Sequence, residues 1–437
     1  MHKEKSTRVE VGELAKRLGE VLGEEQVMAI ARRSGWLRRA RKVMPLMMVA
    51  SVLSTLGAGG AKWLADILRT FQKMTGVSLQ YKPFHNQLAK RQFPEMFRML
   101  LEAALQKLTQ PVLQASSSKL SCFRDIVIHD GSSFALKDDL RETWPGRFTK
   151  VSPAAVELHV TMSLLEDEAH RVTLTADKEA ERAYRPDVAS LRDCLFLGDR
   201  GYQERKFFYD VQQAGGFYIV RGTKSIRPVI RTAFDLSGKP IRKLEGQTLS
   251  WKILPAESVD LAIEWTSGSL VYRGRIIAIY KQGKRNQKTF VYLHTNLARE
   301  RFSASDVSEI YRLRWQVELL FKEFKSHANL HAFDTAKAAI AEGLIWASLL
   351  AAILKRAVTH FAERMLGVEL STQRAASSGK HFLDPILDAL LTSRAQLRTA
   401  VGAAIAFLGA NARRAHPARD RRRGRLAMGL EPVALAA

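Results

Sequence analysis

The apolar positions of this chain change period along its length, and each change predicts a change of element. Up to about residue 120 they recur at helical spacing, in Val11 to Leu22, Glu24 to Ala31 and Trp63 to Met74, with Gly23 and Gly35 as stops. From Cys122 the period shortens. Ile126-Val-Ile-His-Asp130 is an apolar run that ends in a carboxylate and precedes Gly131-Ser132-Ser133, the pattern of a buried strand delivering Asp130 to a sheet end. Val156, Leu158, Val160, Met162 and Leu164 alternate with polar residues and predict a half-buried second strand. A third is expected at Arg171 to Thr175. Leu195-Phe-Leu-Gly-Asp199 repeats the apolar run ending in Asp, and Glu204 to Ala214 predicts a helix stopped by Gly215-Gly216 before a strand at Phe217 to Val220.

Between about 225 and 300, strand-like runs at Leu249 to Ile253, Val259 to Trp265, Leu270 to Tyr280 and Thr289 to Thr295 predict a β-rich insertion. Its strands are expected to pair with one another, outside the central sheet, with its two ends close together. Phe290, Tyr292, Arg273 and Arg275 are its candidate functional groups, although a core role is the better fit for Phe290. Helical spacing then returns at Tyr311 to Lys325, at Ala339 to Phe361, and at Asp384 to Leu408, where Asp384-Pro385 reads as a start.

Two uncharged stretches raise the question of a membrane. Val43 to Ala61 holds Pro45, Gly57, Gly59 and Gly60, which favours a buried helix ending at a turn, and Glu342 and Lys355 bracket a run too short to span a bilayer. No membrane partner is expected. The 437 residues exceed one ordinary domain, and a formal charge of +24 fits a polyanionic partner, with nucleic acid the leading candidate. Arg413 to Arg425, which includes Arg421-Arg-Arg423, is expected to be mobile and to touch phosphates. Gln80 to Phe93 reads equally as a small DNA-binding helical unit or an ordinary basic helix. Cys122 and Cys194 are too few for a disulfide framework and suit a reducing cytoplasm. The charged start Met1-His-Lys-Glu-Lys speaks against secretion.

The most informative stretch is Tyr311 to Lys325, read as one helix with two faces. At about 100° per residue, Tyr311, Arg314, Glu318, Lys322 and Lys325 share one sector, and Leu313, Val317, Leu320, Phe321 and Phe324 take the opposite side. Tyr311, Arg314, Glu318 and Lys325 stand at Y-x2-R-x3-E-x6-K, which resembles the signature of the DDE transposases of bacterial insertion sequences, in the IS-four-like group. Trp315 directly after the Arg agrees with that group. Gly198-Asp-Arg-Gly-Tyr202 looks like its second-aspartate motif.

Taken singly, Asp130 and Asp199 are ordinary turn carboxylates. In order before the Glu318 helix they form a candidate set of three. Phosphodiester cleavage and transfer need the attacking and leaving oxygens stabilised, which two divalent ions about 4 Å apart can do, and Mg²⁺ prefers carboxylate oxygens. The resemblance implies Asp130, Asp199 and Glu318 as catalytic, Mg²⁺-holding residues, with two ions and Mn²⁺ as a substitute. It implies DNA contacts from Tyr311, Arg314, Trp315, Lys322 and Lys325, and an insertion between Asp199 and Glu318 that places Phe290, Tyr292, Arg273 and Arg275 near the DNA. His327 and His331, four apart, read as solvated or DNA-facing imidazoles because no third such ligand lies near.

The implied fold is α/β: a ribonuclease-H-like catalytic core with a β-rich insertion, flanked by N- and C-terminal helical regions. The expected units are a DNA-end-binding region at 1–120, the core at 121–224 and 301–370, the insertion at 225–300 and a basic helical region at 371–437. The implied partners are double-stranded DNA, as element ends and target, and a second copy in a synaptic homodimer. Two alternatives stand beside this reading. One is a ribonuclease-H-like nuclease or resolvase; the other is a non-enzymatic DNA-binding protein derived from a transposase.

Overall fold

The computed structural model describes residues 2–39, 42–57, 63–115, 119–268, 270–283, 288–327, 333–416 and 428–433. The charge run at 417–427, the glycine-rich stretch at 58–62 and His331 lie outside the described residues, as does the side chain of His327.

The N-terminal helices are α1 (His2–Leu22), α2 (Glu24–Arg33), α3 (Pro45–Gly57), α4 (Leu64–Thr75), α5 (Tyr81–Leu88) and α6 (Phe93–Leu108). The central sheet is built from β1 (Asp125–Ala135), β2 (Ala155–Ser163), β3 (Glu168–Ala176), β4 (Cys194–Gly198), β5 (Phe217–Arg221), β6 (Val229–Asp235), β7 (Val259–Ser267), β8 (Leu270–Gln282) and β9 (Lys288–Thr295), with α7 (Arg205–Gln213) between β4 and β5. Then follow α8 (Ala304–Tyr311), α9 (Trp315–His327), α10 (Ala338–Leu366), α11 (Thr372–Ser377), α12 (Gly379–Leu390) and α13 (Arg394–Asn411).

The nine strands form one sheet in the order β3-β2-β1-β4-β5-β9-β8-β7-β6. β1 to β3 are antiparallel neighbours, and β1, β4 and β5 run parallel. That is the ribonuclease-H-like arrangement, with helices at both ends of the chain.

The β-rich segment does not stand outside this sheet as its sequence suggests; it extends it. β9 pairs antiparallel with β5, Leu293 opposite Arg221 and Thr295 opposite Ile219, and β8, β7 and β6 follow. The physical reason is the edge of β5, whose unpaired N–H and C=O groups β9 covers. The two ends of the segment do lie together, the Gly222 N–H donating to the Tyr292 carbonyl at 2.7 Å. Leu249 to Ile253 forms turns and not a strand, its apolar run reflecting the burial of Leu249, while Val229–Asp235 supplies the edge strand.

Each sheet face is apolar where it is covered. Ile126, Ile128, Leu195, Leu197, Ile219 and Leu293 join the core shared with the helices, and Val127, Phe196, Tyr218 and Val220 pack with Phe207, Phe208 and Val211 of α7 on the other side. The terminal helical regions meet each other in one layer: α10 packs against α6, α3 and α13, and α1 against α13. α10 is long and apolar enough to cross a membrane by composition, yet 83% of its apolar window is buried within the protein. α3 is buried along its length, as its sequence predicts. Asp384-Pro385 is no helix start: α12 begins at Gly379 and carries Pro385 inside, where the burial of Phe382, Leu383, Ile386 and Leu387 opposes the loss of one helical hydrogen bond.

Candidate active site

Two parallel strands bring the aspartates together. β1 pairs with β4 in a register that ends at His129 opposite Gly198, so Asp130 and Asp199 are the next residues on strands about 5 Å apart. Asp199 leaves the sheet there. Asp130 does not end its strand, in contrast to the sequence expectation, because β1 continues to Ala135 paired with β2 alone. The carboxylate therefore lies where β1 loses its neighbour on one side.

The Glu helix is two helices joined by a tight 3-10 turn at Arg312–Arg314, not one continuous helix. In a 3-10 turn residues three apart eclipse. The Tyr311/Arg314 spacing thus directs both groups to the strand ends, and α9 then carries Glu318 one α-turn beyond Arg314. Leu313, Val317, Leu320, Phe321 and Phe324 are buried as predicted and hold the helix on the sheet side.

Arg314 joins the set. Its Nη1 donates to Asp130 Oδ2 at 3.2 Å, and its Nη2 donates to Glu318. The Tyr311 hydroxyl donates to the Gly198 carbonyl at 3.3 Å, beside Asp199, and Lys325 Nζ donates to the Ser133 carbonyl at 2.9 Å. Trp315 is 56% exposed and Lys322 is exposed, so both face solvent.

Burial pushes the Asp130 carboxyl up to about 7; Arg314 opposes this, and the charges of Glu181 and Asp199 add to it. Burial raises the Tyr311 phenol, with Arg314 opposing and Asp199 adding. Burial also lowers Lys325. These are signs of an anionic pocket partly withdrawn from water.

A second group of carboxylates borders the first, and sequence reasoning missed it. Glu181, in a 3-10 turn (Glu181–Tyr184) before β4, accepts a hydrogen bond from the Tyr202 hydroxyl. A Cβ at Gly131 would lie 2.7 Å from Glu157 Oε1 and 3.0 Å from Glu181 Oε1, which is why glycine follows Asp130. Burial, with Glu181 next, pushes Glu157 up to about 7 against Arg147. Tyr202 belongs to the Gly198-Asp-Arg-Gly-Tyr202 motif, but nothing in the pattern names its partner, because Glu181 sits in an aperiodic turn.

The insertion's candidate DNA groups are mostly structural. Phe290 and Tyr292 are 5% and 2% exposed and pack in the core, so neither presents an aromatic ring to DNA. Arg275 is buried too: it grips both oxygens of Asp260 at 2.9 and 2.7 Å and donates to the Leu297 and Phe302 carbonyls at 3.0 and 2.7 Å. Burial opposes the ionisation of Asp260, yet the Arg275 and Arg299 hydrogen bonds win and hold its carboxyl below the usual range. The planar guanidinium fork clamps the insertion to the segment leading into α8. Arg273 is exposed and pairs with Glu264 at 2.9 Å.

The carboxylate chemistry fits a hard divalent cation: three acidic groups, with Asp199 Oδ1 buried and lacking a hydrogen-bond partner. Here the Arg314 guanidinium spans Asp130 and Glu318 as the local cation, and among the described residues no three His, Cys, Asp or Glu side chains are grouped to hold a metal.

A ribonuclease-H-like sheet with two aspartates at adjacent parallel strand positions, and a glutamate on a helix against them, is the layout of the DDE superfamily. The chain belongs to the family described as Transposase DDE domain, whose model matches residues 121–354. It is 45% identical over 64 residues to the putative transposase InsL for insertion sequence element IS186A of Escherichia coli strain K12, a match covering 15% of this chain and 17% of that protein. It is 19% identical over 280 residues to the transposase for insertion sequence element IS1151 of Clostridium perfringens, covering 56% of this chain and 59% of that one. The matches thus span 17% and 59% of the length of these curated relatives. Among solved structures it is similar to a piggyBac transposase synaptic complex with hairpin DNA, at 9% identity and a TM-score of 0.44 over 87% of this chain and 83% of the other.

Proposed function

We propose that this protein is the transposase of an insertion sequence in the IS-four-like group, which binds the element's terminal inverted repeats, cleaves the DNA at the element ends and transfers the strands to target DNA. The observation that carries the reading is the meeting of Asp130, Asp199 and the Arg314/Glu318 pair, from three separate elements, where the pairing of the parallel strands β1 and β4 ends. A structural salt bridge alone would not require two carboxylates side by side with one buried oxygen unpaired.

Asp130, Asp199 and Glu318 would hold Mg²⁺, in two ions with Mn²⁺ as a substitute, which supplies stabilisation of the attacking and leaving oxygens of the phosphodiester. Arg314, released from the carboxylates, pairs with a phosphate next to the scissile bond. Tyr311 and Lys325 border that phosphate's path, and exposed Trp315 and Lys322 contact the flanking duplex. The 1–120 region is read as the end-binding unit and 371–437 as a basic accessory region, acting in a DNA-bridged homodimer on the bacterial nucleoid. A nuclease on the same scaffold leaves the Tyr311/Arg314/Lys325 set without a purpose.

The test is cleavage and strand transfer on duplexes carrying the terminal repeats found beside the gene. Asp130→Ala, Asp199→Ala and Glu318→Ala are each expected to abolish both reactions while end binding survives, because phosphate contacts dominate affinity. A variant that still cuts at the wild-type rate removes its residue from the mechanism.

A further inference from the structure

The most exposed large apolar side chains in the described protein sit together on one short hairpin. Between β1 and β2 the chain folds back at Trp144 to Ala155, with the Ala155 N–H donating to the Trp144 carbonyl at 3.0 Å and the Gly146 N–H to the Pro153 carbonyl at 2.9 Å. At the tip, the Val151 and Ser152 N–H groups donate to the Phe148 carbonyl at 3.0 and 2.8 Å. Val151 is 85% exposed and Phe148 66%.

The stem is fixed on two sides. Arg147 donates from its backbone N–H to Asp177 Oδ2 at 2.9 Å, from Nη2 to the Asp177 carbonyl at 3.1 Å, and lies 3.3 Å from Glu157 Oε2. Trp144 packs with Leu140, Ala154 and Ala341 at the start of α10. A Cβ at Gly146 would lie 2.0 Å from the Ser152 carbonyl oxygen, so only glycine closes the hairpin this tightly. An apolar tip on a rigid stem gains nothing in water.

The charge around the tip names its partner. No Asp or Glu occurs between Glu142 and Glu157, Lys150 lies between Phe148 and Val151 while Arg147 is paired with Glu157 and Asp177, and the whole chain carries +24. Cations beside an exposed aromatic suit a polyanion that also offers stacked rings, which is DNA. The stem lies beside Ser133: the Asp177 carboxylate accepts from both the Arg147 N–H and the Ser133 hydroxyl, and Ser133 is three residues past Asp130 on β1, about 10 Å at 3.4 Å per residue, or about three base steps.

We propose that the Trp144–Ala155 hairpin is a wedge for duplex DNA: Phe148, backed by Val151, enters a base step a few steps from the reacting phosphate, and Lys150 pairs with an adjoining phosphate. This rests on the reading of the carboxylate site as a DNA-processing centre.

The test uses the full chain and terminal-repeat duplexes with 2-aminopurine at successive positions, whose fluorescence rises when the base unstacks. Wild-type protein should raise the signal at one step. Phe148→Ala with Val151→Ala should abolish that rise and weaken binding about five- to hundredfold. Phe148→Trp should keep the rise, and Lys150→Ala should keep it while lowering the log–log salt slope by about one unit. Because both side chains are exposed, the double variant should melt as wild type does. Unchanged binding and fluorescence in the double variant overturns the proposal, as does loss of self-association with the fluorescence rise intact, which would make the tip a contact between two copies. A wild-type protein that unstacks the duplex without ever cutting it would instead overturn the transposase reading and leave the wedge standing.

Discussion

Arg356 offers a sharp test of how the Glu helix is held. It lies on α10, 4% exposed, and donates from Nε to Glu168 Oε2 at 3.0 Å, from Nη1 to Glu323 Oε2 at 2.9 Å, and from Nη2 to the Asp167 carbonyl. One guanidinium therefore ties the β2–β3 turn, the helix bearing Glu318 and the central helix of the bundle. Asp167 takes a left-handed conformation, φ 50°, which aspartate tolerates better than most non-glycine residues, and its carbonyl accepts from Arg356. Glu168 and Glu323 side chains are 3% and 5% exposed.

Arg356→Met keeps most of the volume and removes the charge, leaving the buried carboxylates of Glu168 and Glu323, and that of Asp167 at 3.6 Å, without it. Breaking a buried pair from one side costs about 3–5 kcal/mol. The cost should depend on pH. Burial already raises Glu168, with Arg356 opposing, so removing Arg356 raises it further. An acid whose folded-state pKa is raised contributes stability that is present at low pH and lost as pH rises through that pKa. The deficit of the variant should accordingly be smaller at about pH 5 than at about pH 8, measured by urea unfolding of the full chain. A triple variant, Arg356→Met with Glu168→Leu and Glu323→Leu, should recover most of the loss. A loss below about 1 kcal/mol at the higher pH, or the same loss at both, would refute the reasoning.

Gly131→Ala should slow cleavage by up to about a hundredfold with end binding retained, since its Cβ meets the carboxylate ends of Glu157 and Glu181 and pushes them from their places beside Asp130; wild-type rates would show that those side chains yield without cost. Burial lowers His294 and His129 to about 3 each. Histidines with depressed folded-state pKa values contribute stability present above their ordinary value of 6.5 and lost as pH falls toward 3, so urea midpoints should drop steadily below about pH 6.5, and His294→Phe should flatten that slope. Lys355 on α10 is buried and lowered to about 8, its Nζ donating to the Gly57 and Ala376 carbonyls. Stability from this residue should rise as pH climbs from about 8 to about 10.5, because the unfolded chain holds the proton more tightly, and Lys355→Met should remove that rise.

Much of the fold was written in local periodicity. The apolar runs before Asp130 and Asp199 are strands because a buried strand needs consecutive apolar residues, and the Leu313, Val317, Leu320, Phe321 and Phe324 stripe is buried because helical spacing collects it on one side. Sequence spacing likewise set Tyr311, Arg314, Glu318 and Lys325 toward one face. Partner choice between distant elements was decided only by the tertiary structure. Period-two alternation says which face of a strand is buried, not which strand lies beside it, so the pairing of β9 with β5, which makes the insertion four of the nine strands of one sheet, has no local signature. The same holds for side chains. Arg275 and Arg273 are alike in sequence, yet Asp260 and two carbonyls bury the first, while a surface Glu264 leaves the second in water. Asp130 meets Asp199 because β1 and β4 run parallel in a register that ends at His129 opposite Gly198, and no reading of either segment alone contains that register.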